Sequence, residues 1–575
     1  MYFRRALAAL LTVGLCGCGK QAAGPPPRYA VIRFENLSGD PALEWTARAA
    51  SDLLTHALSE ALDGPVLARP AISRVTTSLG PHPAGAPGIS AEREAAQIAG
   101  ATRVITGYVE KTAGGVRVSG TEEDLATRRT VRSLAAVERD PVQAVTHLAR
   151  EFSAKAAPPR VANEEALRLY FTSREMETEK AVPVLEQAIA TAPDFGEAWV
   201  ALAEARRALG DRAGAASTIA KARERKLDKL DSAYLDFLAA TLDGEQGSAR
   251  LEALKRVSDL SPDDTVLLRS LAETEAAGGQ FGAAARSWRK LAEILPADGD
   301  ALNQLGYTLA WSGDYAGAVA AMQNYARVRA ADPNPLDSLG DVHYMYRKFP
   351  EAAQTYLRNH AIFPDYQAGG DLYKAAWAKF MAGDKAGAEA MFAQFGKARE
   401  KVPGFPLVAA DWLYRTGRTK EAMTELRKGI ATAAAPAEKA AMYDQMAIFD
   451  LLEGDRAAAE SDARAAGPPV TPGSFLVRFC TLPTASPAEW EARALRMVPA
   501  PSGAGVRSLA VGYALLLDGK KQAALPVWKD LAAQAKATDF ALQSVYTKLK
   551  GEQPKLAVLP DPSSVNPFAA VPEKL

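Results

Sequence analysis

The sequence predicts an α+β amino-terminal domain followed by an all-α superhelix of paired helices, and three observations carry that prediction. Past Asn163 a short turn segment recurs about every 34 residues. Between Tyr29 and about Ala154, β-rich runs alternate with amphipathic helical runs and include a hairpin signal at Gly114-Gly115. Ahead of both stand a basic start, an apolar stretch and two cysteines, which read as an address and not as part of a fold.

At 575 residues the chain is too long for one ordinary core, so several domains or an array are expected. Lys plus Arg and Asp plus Glu both total 68, so no basic excess points to nucleic acid. After Leu15 no apolar run approaches the roughly 20 residues that span a bilayer. The three cysteines, Cys16, Cys18 and Cys480, are too few for a disulfide framework, and Cys480 reads as a small buried apolar residue.

The first element is "GLCGCGKQ", Gly14–Gln21, one residue short of a phosphate-binding loop. Such a loop joins a strand to a helix and needs a hydroxyl after its Lys. Here Gln21 takes the hydroxyl's place, and Pro25, Pro26 and Pro27 forbid the helix. A Cys16–Cys18 metal pair lacks further ligands nearby. The flanks "MYFRR" and "ALAALLTVGL" have instead the basic and apolar layout of an export signal. "Leu15-Cys16-Gly17-Cys18" resembles the bacterial lipobox. That resemblance implies a signal peptide over residues 1–17, lipidation of Cys18, and a membrane anchor of acyl chains. Gly19, where an inner-membrane retention signal would carry Asp, implies the outer membrane's periplasmic face. Residues 18–28 then form a Gly/Pro tether.

Residues 29–156 come next. "YAVIRF" reads as a buried strand, and Asp40-Pro41 as an N-cap and first helical residue. The helix after them carries Leu43, Ala47, Ala50, Leu53, Leu54 and Leu58 on one face. "GPVLARP" reads as a strand, "AISRVTTSL" as a short helix and "SAEREAAQIAGA" as another. A hairpin over "TRVITGYVEKTAGGVRVSG", a strand near "RTVRSLAAVER" and a helix from Pro141 to about Ala154 complete the unit. The "FENLSGDP" turn and the later "AAQIAGATRVITGYVEK" resemble, in order, the TolB-like amino-terminal domain over about residues 28–156. No β-propeller and no cyclase sequence follows, unlike in other carriers of that domain.

From 163 to 550 the turn segments begin at Gly210, Gly244, Gly279, Gly313, Arg347, Gly383, Gly417, Gly454 and Gly519. The steps are 34, 35, 34, 34, 36, 34, 37 and 65, the last holding one degenerate repeat near 468–505. With "Trp199-Val-Ala-Leu202-Ala203", "Leu302-Asn-Gln-Leu305-Gly306" and a small residue at Ala215, Ala249, Ala284, Ala318, Ala352, Ala388 and Ala422, this resembles the tetratricopeptide repeat, about ten copies in all. A Pro-rich tail, 551–575, follows.

No H-E-x-x-H, G-x-S-x-G or kinase pattern is present, and acid pairs such as Glu122-Glu123 and Asp263-Asp264 read as solvated surface. No catalytic residue, cofactor or metal site is assigned. In the tetratricopeptide family the first helix of each pair lines a concave groove. That resemblance implies groove positions at Asn303, Tyr307 and Trp311, then Asp337, Asp341 and Tyr344, then Tyr373 and Trp377, with Phe380 shared between groove and core. The expected function is a membrane-anchored periplasmic scaffold that holds protein or peptide partners in the bacterial cell envelope, without nucleic acid. Two alternatives remain open: a sensory module whose TolB-like domain binds a ligand, and an envelope enzyme without a recognisable motif.

Overall fold

A computed structural model describes residues 26–67, 72, 88–159, 163–174, 176–242, 248–262, 264–399, 402, 404–468, 472–498 and 504–534. Cys18, the signal segment, most of the expected Ala71–Leu79 helix and the 551–575 tail lie outside these residues. The chain divides into two compact units, one reaching to Leu271 with Glu293–Ala297, the other Ala272–Ala292 with the residues from Asp298 on. The fold class is an α+β amino-terminal domain followed by all-α paired helices.

In the first unit, β1 (Tyr29–Asn36) is followed by a 3-10 turn at Pro41–Leu43, α1 (Glu44–Leu58) and α2 (Gly88–Ile98). Then come β2 (Arg103–Thr112), β3 (Gly115–Asp124), β4 (Arg129–Glu138) and α3 (Pro141–Phe152). The sheet order is β1-β2-β3-β4, with β1 and β2 parallel and the other pairs antiparallel. Asp40 caps the turn by accepting from the Ala42 amide at 3.0 Å, and Asp140 accepts from Val142 and Gln143 at 2.7 and 2.9 Å. Each such cap contributes about 1 kcal/mol. Of "GPVLARP", the described part makes a single bridge, Val66 to Tyr29.

The core follows the apolar pattern. Val31 and Phe34 of β1 pack with Ala47, Ala50, Leu54 and Leu58 of α1 and with Leu148 and Phe152 of α3. The alternation of β3 puts one acid of the Glu122-Glu123 pair inside. Glu122 is buried, not solvated, and is held by Arg132 at 2.7 Å and Arg103 at 3.3 Å. Arg132 lies over the Phe152 ring at 5.0 Å, so the carboxylate is paired where water is excluded.

The helix pairs begin with α4 (Glu164–Ser173), α5 (Thr178–Thr191), α6 (Gly196–Ala208), α7 (Arg212–Ala222), α8 (Lys229–Leu242) and α9 (Ser248–Leu260). Within the first unit, Trp45, Ala49 and Val142 share a core with Leu167, Phe171 and Phe195, joining the α+β domain to the first helices. Thr265–Ala277, α10, spans the division between the units.

The second unit takes in α11 (Phe281–Ile294) as far as Ala292, then α12 (Gly299–Trp311), α13 (Tyr315–Val328), α14 (Asn334–Met345), α15 (Phe349–Ile362) and α16 (Gly370–Met381). It continues with α17 (Lys385–Arg399), α18 (Phe405–Arg415), α19 (Thr419–Thr432), α20 (Pro436–Leu452) and α21 (Arg456–Ala466). Pro472–Cys480 (α22) and Pro487–Met497 (α23) fill the degenerate segment, both packing on α24 (Ala504–Leu517), and α25 (Lys521–Gln534) follows. Cys480 is buried there as a free thiol.

The turn chemistry repeats. Gly313 at φ 94° ends α12, and Asp314 caps α13 by accepting from Gly317 at 2.8 Å; Gly383 at φ 85° and Asp384 with Gly387 do the same between α16 and α17. Ala215, Ala284, Ala318, Ala352, Ala388 and Ala422 are all fully buried between paired helices. Ala249 is exposed, because α9 turns Leu251, Ala253 and Leu254 inward instead. A Cβ at Gly340 would lie 2.4 Å from the Tyr356 ring, so only glycine permits that approach of α14 to α15.

Candidate functional site

The expected groove positions of the second unit fall into three environments. On α12, Asn303, Tyr307 and Trp311 are half-buried. The Tyr307 and Trp311 rings stack at 5.6 Å and 21°, and Phe281 of α11 braces Trp311 at 5.2 Å. The spacing i, i+4 puts both rings on one helix face. The Asn303 Oδ1 is buried and has no hydrogen-bond partner among the described residues.

On α14, Asp337 and Asp341 are buried, at 5% and 2% exposure, and so is Tyr344, which packs edge-on against Phe349 at 5.3 Å. The two aspartates converge on Lys374 of α16. Its ammonium donates to Asp337 at 2.8 and 3.0 Å and to Asp341 at 2.9 and 3.1 Å. The Tyr307 hydroxyl donates to Asp341 Oδ2 at 2.9 Å and the Tyr356 hydroxyl to Oδ1 at 2.6 Å. Asp371, also buried, accepts from Asn359 Nδ2 at 3.0 Å, and burial pushes its carboxyl up to about 6. Two buried carboxylates thus share one ammonium, with the buried Asp371 on the same helix as Lys374. Burial, with Asp341 close by, holds the Tyr307 phenol well above its ordinary range, so it remains a donor.

The turn Tyr366–Ala368 lies against this cluster. The Tyr366 hydroxyl donates to Asn334 Oδ1 at 3.0 Å, and burial together with Asp337 pushes it up to about 12. Gln367 and Ala368 adopt φ 47° and 51°, a left-handed conformation that costs non-glycine residues energy. The 36-residue step from Arg347 to Gly383 supplies the two extra residues of this connection.

The third environment is aromatic. Tyr373 is half-buried, Trp377 buried at 6% and Phe380 half-buried. Trp377 meets Trp412 at 4.6 Å, Phe392 stacks on Trp412 at 4.7 Å, and Tyr373 lies 5.3 Å from Phe395. The Arg415 guanidinium sits 5.8 Å over the Trp377 ring and pairs with Asp411 at 2.9 Å.

The structure therefore joins Tyr307, Asp337 and Asp341 through Lys374, keeps Trp311 beside Tyr307, and puts Tyr373 and Trp377 into an aromatic cluster. Sequence reasoning missed Lys374, Tyr356, Asn359 and Asp371. One signal was available: Lys374 stands in "LYKAAWA", a charge inside an apolar helical run. The arrangement suits recognition, with aromatic faces for apolar contact and an oriented hydrogen-bond network that fixes the helices carrying them. Among the described residues no group of three His, Cys, Asp or Glu is placed to hold a metal ion.

No family model and no curated protein matches the sequence. Among solved structures, the chain is similar to the MamA protein at 18% identity, over 30% of this chain and 93% of that one, with a TM-score of 0.26. It is similar to the C-terminal part of a TPR repeat-containing protein from Cytophaga hutchinsonii at 14% identity, over 41% and 95%, with a TM-score of 0.33. Yeast Tom70 is similar at 12% identity over 72% and 92%, with a TM-score of 0.32.

Proposed function

We propose that the protein is a lipid-anchored scaffold of the bacterial cell envelope whose helix pairs hold a partner protein or peptide on the face built by α12, α14 and α16. The observation that carries this reading is the Tyr307–Trp311 stack, partly exposed on α12 and fixed beneath by Asp341 and Lys374. Rigid aromatic side chains supply large contact area at small entropic cost, which is why such pairs anchor interfaces. Tyr344 and Trp377 serve this face from below, as packing that holds α14 and α16 in register. Asn303 and Tyr373, half-buried, contribute at its surface. Lipidation at Cys18 and the outer membrane's periplasmic side complete the proposal; they rest on the lipobox resemblance and on Gly19.

A pull-down of the full chain from cells tests the reading. Trp311→Ala leaves the fold intact and reduces the recovered envelope protein several-fold. Equal recovery with and without the indole would argue against a groove at this face.

A further inference from the structure

The sheet of the first unit ends in an open edge at β4. We propose that this edge pairs with β4 of a second copy of the chain, antiparallel and about a two-fold axis at Ala135.

The edge is open along its length. In the order β1-β2-β3-β4, β3 covers one side of β4, from Val116 opposite Glu138 to Asp124 opposite Arg129. On the other side no strand follows, and among the described residues no backbone hydrogen bond ties β4 to a loop or a helix. Alternate residues of an antiparallel strand turn their N–H and C=O groups away from the first partner, so this edge carries a row of unpaired donors and acceptors. Edge strands are commonly kept from pairing by Pro, by Lys, by a bulge or by shortness. "RTVRSLAAVE" has no Pro and no Lys and is ten residues long, as β2 and β3 are. It does carry a bulge: Arg132 faces Glu122 and Thr130 faces Glu123, which leaves Val131 as the extra residue. The bulge protects the strand's start and leaves seven regular residues, Arg132–Glu138, without protection.

Those seven residues match a second copy of themselves. The base Arg132 stands at one end and the acid Glu138 at the other. Antiparallel pairing about Ala135 sets Arg132 of each copy opposite Glu138 of the other, whereas parallel pairing would set like charges together. Arg132 is held on Glu122 at 2.7 Å, and its side chain keeps about a third of its surface open to receive the second carboxylate. Ser133 then faces Val137, and Ala135 faces itself. All three are exposed, Val137 at 46%, and the two small ones let the strands approach without a clash.

Other registers fit less well. A slip of one residue turns core-facing side chains such as Ala136 to the solvent face. A two-fold at Leu134 would put Glu138 opposite Thr130, across the bulge, and Arg132 opposite Ala136. One at Ala136 would put Ser133 opposite Arg139 and Arg132 opposite Asp140, which already caps α3. The pairing about Ala135 uses the whole regular stretch and both charges. Seven paired residues make a small interface, so the dimer is weak, with a Kd on the order of 10–100 µM.

The test is sedimentation equilibrium of the full chain in density-matched detergent, with circular dichroism to confirm folding. The unaltered chain should associate reversibly to a dimer. Ser133→Lys combined with Val137→Lys sets like charges opposite each other twice and should raise Kd at least about tenfold. Ser133→Lys combined with Val137→Glu, at the same two exposed positions, sets opposite charges together and should keep Kd within about threefold of the unaltered chain. Should the double lysine variant fail to fold, Ala135→Lys puts like charges across the two-fold and should weaken the dimer in the same way. A chain that is monomeric at about 100 µM would overturn the proposal and leave the edge to a strand of another protein. A dimer indifferent to the lysines, or one weakened equally by both double variants, would overturn it as well.

Discussion

The Lys374 ammonium on α16 donates to both carboxylate oxygens of Asp341 on α14, at 2.9 and 3.1 Å, where both side chains are almost wholly removed from water. A buried ion pair adds little net stability when complete, but breaking it strands the remaining charge. Lys374→Met leaves Asp337 and Asp341 buried together without their counterion. The expected loss is about 3–5 kcal/mol in urea or guanidinium unfolding at neutral pH. The loss should shrink on acidification, as the stranded carboxylates take up protons. An unchanged midpoint at pH 7 would mean that the cluster is not closed in solution.

The same cluster sets a pH dependence. Asp371 titrates at about 6 when folded, because burial disfavours its charge, and at about 4 when unfolded. Between these values the folded state binds the extra proton, so this group's stabilisation is present below about pH 4 and is lost as pH rises to about 6. Asp450, raised to about 7 by burial and by Asp462 and Asp455, acts in the same direction over a window reaching neutral pH; its partial exposure makes the effect smaller. Asp371→Asn mimics the protonated acid, keeping an acceptor for Asn359. It should flatten the pH slope between about 4 and 6 and raise neutral stability by about 2 kcal/mol, measured as denaturation midpoints across that range.

Arg347 occupies the turn between α14 and α15 at φ 60°, where Gly313 and Gly383 occupy the equivalent turns. A side chain in the left-handed region costs about 1 kcal/mol relative to glycine. Arg347→Gly is therefore expected to stabilise the chain by about that amount in equilibrium unfolding. A lower midpoint would show that contacts of the arginine side chain outweigh the backbone strain.

Cys18 carries the anchoring proposal. Cys18→Ser should abolish incorporation of a fatty-acid analogue and move the protein from the membrane to the soluble fraction. Labelling that persists in the serine variant would exclude lipidation at this residue.

Much of this was legible in the sequence, and the reasons differ by element. The Gly-Asp turns were readable because two local requirements, a positive φ at Gly313 and a capping carboxylate at Asp314, select residue types without reference to the rest of the fold. The hairpin of β2 and β3 and the helix after Asp140 were readable for the same reason. Glu122 was misread as solvated because its partners, Arg103 and Arg132, lie on neighbouring strands that only the sheet register brings alongside. Asp337 and Asp341 fit a groove pattern at helical spacing, yet Lys374, 33 residues beyond Asp341, draws both inward. Position on a helix face is periodic and local. Whether that face is open depends on side chains from other elements, such as Tyr356 on α15 and Tyr366 in the turn before α16, which periodicity does not encode.

The central claim, that the face of α12 holds a partner protein, is tested most directly by photocrosslinking in cells. A photoreactive residue is placed at exposed Gln304 on α12 or, as the control, at exposed Gln354 on α15. The predicted result is a discrete crosslinked envelope protein from position 304 that is absent from position 354 and disappears in the Trp311→Ala background. No crosslink from 304, or the same products from both positions regardless of Trp311, would contradict the account.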